Sequence, residues 1–353
     1  MEATANQGGR ATITDVAKRS GTSIKTVSRV FNDEPFVRAE TKKRVLEAAA
    51  ALDYHPNIAA RSLVRGRSFL IGLFYENPSP NYVVDLQTGA LDRLRDERFR
   101  LLLFPCQSAR AMSGKLLQVA RTSGLEGIVL APPLGDDPRT VKELREGRMP
   151  FVRIAPTTAL DASPMVGIDD VEAARAMTQH LLDLGHRRIA FVQGDPGHPS
   201  TGQRLSGFRA ALTEAGVSFD ERLLEEGMYT FESGLAAGRR LFADRMRPTA
   251  VFAANDDMAA GIAVAAKEYG LDIPAHVSIA GFDDSLISRV TWPQLTTIHQ
   301  PTYDMAHVAT DALLALIERQ PLDRAVGLPH RLLVRGSTGK APSGEAANAG
   351  SSA

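Results

Sequence analysis

Lys25 and Arg29 stand four residues apart in the stretch SIKTVSRV, with Ser23, Thr26 and Ser28 around them and Ile24 at its start. Ammonium and guanidinium groups donate to phosphate oxygens and to guanine O6 and N7, and hydroxyls donate to phosphate. An apolar tip such as Ile24 packs on a thymine methyl. This set points to a polyanion with bases to read. A second set lies further along, just after short apolar runs: Ser79, Asn81, Tyr82, His198, Ser200, Arg204, Tyr229, Asn255, Asp256, Asp283, Asp284 and Gln300. Forked Arg, Asn and Asp groups suit paired hydroxyls, and an aromatic face suits a sugar ring or a base.

Catalytic chemistry finds little support. There is no HExxH, P-loop or GxSxG, and the eight histidines are scattered without metal-ligand spacing. Asp256-Asp257 and Asp283-Asp284 are adjacent in sequence, so each pair's side chains diverge. Helix capping is the expected role of Asp256 and Asp257. His180 and His186 flank a helix end, where a histidine near the last carbonyls is a routine stabiliser. No enzyme activity, cofactor or metal is expected.

The first set needs a short helix that presents its polar side. Thr12-Ile13-Thr14-Asp15 reads as a capping box opening one helix, which ends near Arg19. Gly21 can take a positive φ in the break that follows. Ser23 caps a second helix from Ile24 to about Phe31, with Ile24, Val27 and Val30 at inward spacing. A third runs from about 39 to 52. Two short helices on a glycine turn, braced by a third, make a helix-turn-helix layout. Charge agrees: residues 1–67 hold 12 Lys/Arg against 7 Asp/Glu, although the 353-residue chain as a whole has 41 of each and is neutral. A basic head on an acidic body is the footprint of a nucleic-acid binder.

The second set needs sheets. From Phe69 onward, short apolar runs alternate with amphipathic helices, which implies parallel βαβ units. About ten strands are too many for one small sheet, and PTTALDASP (156–164) reads as a crossing between two lobes. LTTIHQP (295–301) leads back to the first lobe, and RLLV (331–334) finishes in the second. Ligands in open α/β sheets bind beyond the carboxyl ends of strands. That rule selects Ser79, Asn81 and Tyr82 after the first strand, then His198, Ser200 and Arg204. It continues with Asn255 and Asp256, Asp283 and Asp284, and Gln300, with Tyr229 in a nearby turn. Trp292-Pro293 reads as hinge packing; Met177, Leu181 and Leu184 read as core.

The stretches TITDVAKRSGTSIKTVSRVFN (12–32) and LDYHPNIAARSL (52–63) resemble the LacI/GalR family of transcriptional regulators, and the likeness extends over 11–337. One departure is Arg38, where the family usually has a Ser cap for the third helix. The resemblance implies an all-α helix-turn-helix head and a two-lobed α/β core of the periplasmic-binding-protein kind, with parallel sheets and three crossings at the hinge. It makes the second helix the recognition helix, with Ile24, Lys25 and Arg29 reading bases. Thr12, Thr14, Ser23, Thr26, Ser28 and Asn32 then contact phosphates.

A segment at 57–67 would fold as a hinge helix only on operator DNA and pair with its dimer mate in the minor groove. Isolated helices below about 12–15 residues are marginal in water, which suits such a segment. Leu63 takes the wedge position, Ala59 and Ala60 allow close approach, and Asn57 contacts backbone or bases. Within the second set, the resemblance implies that Tyr82, Arg204, Tyr229, Asn255, Asp283 and Gln300 are the effector contacts. The expected partners are therefore double-stranded operator DNA, a small effector (a sugar or sugar derivative, or alternatively a nucleobase or nucleoside) and a second copy of the chain.

The expected domains are a disordered 1–10, a DNA-binding domain at 11–56, the hinge at 57–67, a core at 68–337 and a disordered tail at 338–353. Within the core, lobe 1 takes 68–158 plus 290–319, and lobe 2 takes 159–289 plus 320–337. A single cysteine, Cys106, fits a reducing compartment. The leading MEATANQGGR lacks an apolar signal region, and no apolar run reaches the ~18 residues of a membrane span, so a cytoplasmic location is expected.

Overall fold

The computed structural model describes residues 11–31, 36–54, 67–76, 79–244 and 246–342. The expected disordered N-terminus (1–10), Asn32, the hinge positions Asn57, Ala59, Ala60 and Leu63, and the tail beyond 342 lie outside the described residues. The chain divides into two compact units, Met1–Ser68 and Phe69–Ala353.

The first unit is three helices, α1 (Ile13–Ser20), α2 (Ile24–Phe31) and α3 (Ala39–Ala51). The capping box forms: Thr12 Oγ1 accepts the Asp15 amide, and Asp15 Oδ2 accepts the Thr12 amide at 2.9 Å. Gly21 closes α1 at φ +62°, a conformation that costs a residue with a Cβ about 1–2 kcal/mol. Ser23 Oγ accepts the Thr26 amide at 3.1 Å at the start of α2. Arg38 makes no capping bond, so α3 starts without side-chain help. Val16, Val27 and Val45, one from each helix, are fully buried. Each such burial is worth about 1.5–3 kcal/mol, which fixes the face that α2 turns inward and hence the face it leaves outside.

The second unit has two lobes. The first is a six-stranded parallel sheet in the order Ala325–Gly327, Met165–Gly167, Phe151–Ile154, Gly127–Leu130, Leu70–Tyr75, Arg100–Pro105. Helices cover both faces, because strands such as Gly127–Leu130 are apolar at every position. Pro80–Arg93 and Thr302–Glu318 pack together on one face, where the Tyr303 carbonyl lies against Gly89 in the place a Cβ would occupy. The second lobe is a four-stranded parallel sheet, Leu224–Glu226, Ile189–Gln193, Ala250–Ala253, Ser278–Ala280, around a core that includes Phe191, Phe208 and Phe252. Thr297–His299 bridges to the Ser278–Ala280 edge and pairs antiparallel with Arg331–Leu333.

This topology corrects the expected lobe boundaries. Met165–Gly167 pairs with Phe151–Ile154, so the first crossing follows residue 167 and PTTALDASP is a loop within lobe 1. Residues 290–299 run with lobe 2, and Ala325–Gly327 belongs to lobe 1. The tail is corrected as well. Ser337 is fully buried, Thr338 Oγ1 lies 3.0 Å from His180 Nε2, and the Ala341 amide donates to the Leu184 carbonyl at 2.9 Å. Residues 338–342 are therefore part of lobe 2.

Three smaller readings change too. Trp292 is 90% exposed and packs no hinge. Leu184 is only half-buried, whereas Met177 and Leu181 are fully buried. His186 is fully buried between Thr249 and Ser278, and burial lowers the pKa of both His186 and His180. Both rings are held neutral, so neither acts as a cation at the helix end.

Candidate functional site

On the head, α2 turns Val27 and Val30 inward and leaves Ile24, Lys25 and Arg29 exposed. Ile24 keeps 48% of its surface in solvent, an unusual place for an isoleucine. Thr26 and Ser28 are partly exposed beside it. The Ser23 hydroxyl lies 2.9 Å from that of Thr26, and the Thr12 hydroxyl donates to Asp15 at 2.7 Å. Thr12 therefore has its proton committed to its own helix cap, whereas Thr14 is exposed.

In the second unit, Tyr82, Arg204, Tyr229, Asn255, Asp283 and Gln300 line one cavity between the lobes. Each arrives from the carboxyl end of a strand or from the crossing. Arg204, in the helix Pro199–Glu214, is the centre. Its Nε donates to Asp170 at 2.8 Å, Nη1 to the Ala254 carbonyl at 2.5 Å and Nη2 to Gln300 Oε1 at 2.9 Å. Its plane lies over the Phe282 ring, 3.5 Å from the centroid. Burial alone would lower its pKa, but Asp170, Tyr229 and Asp283 outweigh that and hold it above its ordinary value.

Asp283 sits 3.7 Å from Arg204 Nη1, and burial raises its pKa well above the usual carboxylate range despite the arginine. Its φ of +107° and the +58° of Asp284 are strained for residues with side chains. Strands on both sides hold that turn: the Asp283 amide donates to the Ile298 carbonyl at 2.9 Å.

Tyr229, also left-handed at φ +58°, lays its ring where a Cβ on Gly194 would stand. Its hydroxyl pairs with Thr201 at 2.8 Å and Ser200 at 3.2 Å. Burial raises the pKa of Tyr82 and of Tyr229, so both phenols stay protonated donors.

Ser79, His198 and Ser200 join the lining, while Asn81, Asp256 and Asp284 do not. Asn255 is the helix cap, accepting the Met258 amide at 3.0 Å. Asp256 and Asp257 are not caps, which corrects the expectation. Asp256 accepts Thr297 Oγ1 at 2.6 Å and the Ser285 amide at 2.8 Å, and Asp257 accepts Ser79 Oγ at 2.5 Å from the other lobe. Asp284 pairs with His299 and Arg335. Asp170, Pro132 and Ala155 complete the wall unforeseen. The carboxyl-end rule covers all three, since Pro132 and Ala155 follow strands expected in lobe 1 and Asp170 follows a strand expected in lobe 2.

A buried guanidinium, a carboxyl group beside it, two phenols and two amides line a narrow polar cavity of about 30 Å³, a lining whose chemistry suits hydroxyls or ring edges. Among the described residues no group of three or more His, Cys, Asp or Glu side chains could hold a metal, and no described helix is long and apolar enough to cross a membrane.

A helix-turn-helix unit followed by a two-lobed α/β core with a polar interlobe cavity defines a DNA-binding regulator of transcription. The chain belongs to the LacI family of such regulators. The family model for bacterial regulatory proteins of the lacI family matches residues 12–57, and the periplasmic binding protein-like domain matches 178–338. Over 329 residues the chain is 33% identical to catabolite control protein A of Priestia megaterium, covering 93% of this chain and 99% of that one. It is 32% identical to the ribose operon repressor of Bacillus subtilis (strain 168), covering 94% and 99%. Its structure aligns with that of the lac repressor dimer bound to operator and an anti-inducer at a TM-score of 0.83 and 26% identity, covering 94% and 100%.

Proposed function

We propose that this protein is a repressor that binds a pseudo-palindromic operator as a dimer, and that a sugar in the interlobe cavity sets its affinity for that operator. The convergence of Tyr82, Arg204, Tyr229, Asn255, Asp283 and Gln300 on one buried cavity carries the reading. In that role Arg204 and Asp283 fork onto ring hydroxyls, Asn255 and Gln300 fix their order, and the two tyrosines face the ring. Ile24, Lys25 and Arg29 read bases in the major groove, and Thr14, Ser23, Thr26 and Ser28 set register on phosphates, as do Thr12 and Asn32 at the ends of the motif. Asn57, Ala60 and Leu63 form the minor-groove hinge, where an apolar wedge kinks the duplex. No cofactor takes part.

The dimer accounts for an otherwise costly surface. Leu286, Val290 and Trp292 are 60%, 69% and 90% exposed within seven residues of one another, and Val84 and Leu91 are half-exposed on the lobe-1 helix Pro80–Arg93. Apolar surface of this kind usually meets a partner. A C2 pair also presents two heads to two half-sites. A cytoplasmic location follows from the DNA partner.

The test combines a thermal-shift panel of monosaccharides, disaccharides and nucleosides with gel shifts on a duplex selected from randomised palindromes. A sugar that raises the melting temperature changes duplex affinity about 5–150-fold, the span of couplings worth about 1–3 kcal/mol. Selection of no palindrome, or stabilisation by nucleosides alone, rejects the reading in its DNA half or its sugar half respectively.

A further inference from the structure

His198 lines the inner cavity. This residue also lines a second, wider cleft of about 1220 Å³ with its mouth included. The neighbouring Pro132 and Pro133, and Ser200 and Pro199, divide between the two spaces in the same way. The outer cleft lies beyond the carboxyl ends of three lobe-1 strands, at Glu76, Arg110 and Asp136, and faces Asp195 of lobe 2.

Its lobe-1 lip is built rigidly. Arg153 is fully buried, and its guanidinium donates to the carbonyls of Gly135 at 3.0 Å, Thr158 at 2.9 Å and Ala159 at 2.6 Å, and to Ser163 at 2.9 Å. A buried cation is expensive, so the loop it ties is held in one shape. Asp136 Oδ1 takes the amides of Thr157 and Thr158, both at 2.7 Å, from the same loop. Its other oxygen, Oδ2, is buried with no partner in the protein, a cost of about 1–3 kcal/mol unless something outside the protein donates to it.

The chemistry of the lining selects the occupant. Glu76, Asp136, Asp137 and Asp195 face two guanidiniums, Arg110 and Arg139, so the cleft carries an excess of two negative charges. An anionic unit such as a phosphate or a uronate is repelled. Among the described residues the outer lining has no Phe, Tyr or Trp, which argues against a base or a stacked aromatic group. Neither arginine has a carboxylate partner among the described residues, so the cleft offers free guanidinium donors beside carboxylate acceptors. That pattern fits neutral hydroxyls.

Building on the sugar reading, we infer that the effector has two units: one ring in the inner cavity and a second, uncharged, hydroxyl-bearing unit in the outer cleft, as in a disaccharide. His198, kept neutral by burial and edge-on to Tyr229 at 5.5 Å between centroids, marks the junction where the glycosidic oxygen lies.

Calorimetric titration of the full chain with cellobiose, maltose and lactose, and with glucose, galactose and ribose, tests this. At least one disaccharide binds tenfold or more tighter than its component monosaccharides. The double variant Arg110→Ala, Arg139→Ala reduces that ratio at least fivefold at unchanged melting temperature. A monosaccharide that binds as tightly as any disaccharide overturns the inference and leaves the sugar reading intact, as does a ratio untouched by the double variant. If none of the six sugars binds, the sugar reading fails and this inference fails with it.

Discussion

Ser79 Oγ donates to Asp257 Oδ2 at 2.5 Å, joining two residues 178 positions apart and from opposite lobes. Ser79 precedes the lobe-1 helix Pro80–Arg93, and Asp257 is in the first turn of the lobe-2 helix Asp256–Glu268. Both are buried. Burial raises the Asp257 pKa and the Ser79 bond draws it back down, so the charge is sheltered only while the lobes are together. The bond ties the two lobes together across the cleft.

Ser79→Ala leaves that carboxylate buried and unpaired, at a cost of about 1–3 kcal/mol to the closed form. Small-angle scattering should show a larger radius of gyration for the variant, and titration a weaker affinity for any cavity ligand. An unchanged radius together with unchanged affinity would show that the lobes are held by other contacts.

Arg204→Ala strips the partner from Asp170 and Asp283 at once. Breaking a buried pair by removing one member costs about 3–5 kcal/mol. Urea denaturation should register this as a lower midpoint at unchanged slope. Arg204→Lys restores a charge without the fork that reaches Asp170, the Ala254 carbonyl and Gln300 together, and should recover only part of the loss.

Asp256 is fully buried, and burial pushes its pKa up to about 7. A carboxyl whose folded pKa lies above its unfolded value stabilises the fold at low pH and loses that contribution as pH rises. The window here runs from about pH 4 to the folded value near 7. Asp256→Asn has no proton to lose. Its stability relative to the parent should climb across that window, by at most about 4 kcal/mol at 1.36 kcal/mol per unit. A flat difference from pH 4 to 7 would place the titration elsewhere.

Arg29→Ala should cost about 1–3 kcal/mol on the selected duplex and relax its sequence preference. An equal loss on selected and random duplexes would make Arg29 a phosphate contact instead. Leu63→Ala should likewise weaken the selected duplex far more than random DNA.

Local features were the ones the sequence carried openly. The capping box at Thr12 and Asp15, the left-handed Gly21 and the inward Val27 and Val30 each depend on neighbours within four residues. The convergence of six distant side chains was legible for another reason: each follows a strand, and the ends of parallel strands collect in one place. Membership of a sheet is not local, and there the reading failed. Met165–Gly167 looks the same whichever lobe it joins, so the first crossing was misplaced. Composition misled at 338–342, where small polar residues find partners in Thr296, His180 and Leu184 that only the fold supplies. Trp292 reads as hinge packing in the sequence, yet its side chain faces solvent.

The chain passes between the lobes after Gly167, after His299 and after Gly327. Three tethers resist twisting and sliding more than bending. They leave the lobes close to a single swinging freedom, as three pins leave a door. Any molecule lodged beside Gln300, at the middle tether, works near the axis of that swing, and a displacement of a fraction of an ångström there becomes a much larger excursion at the far rims.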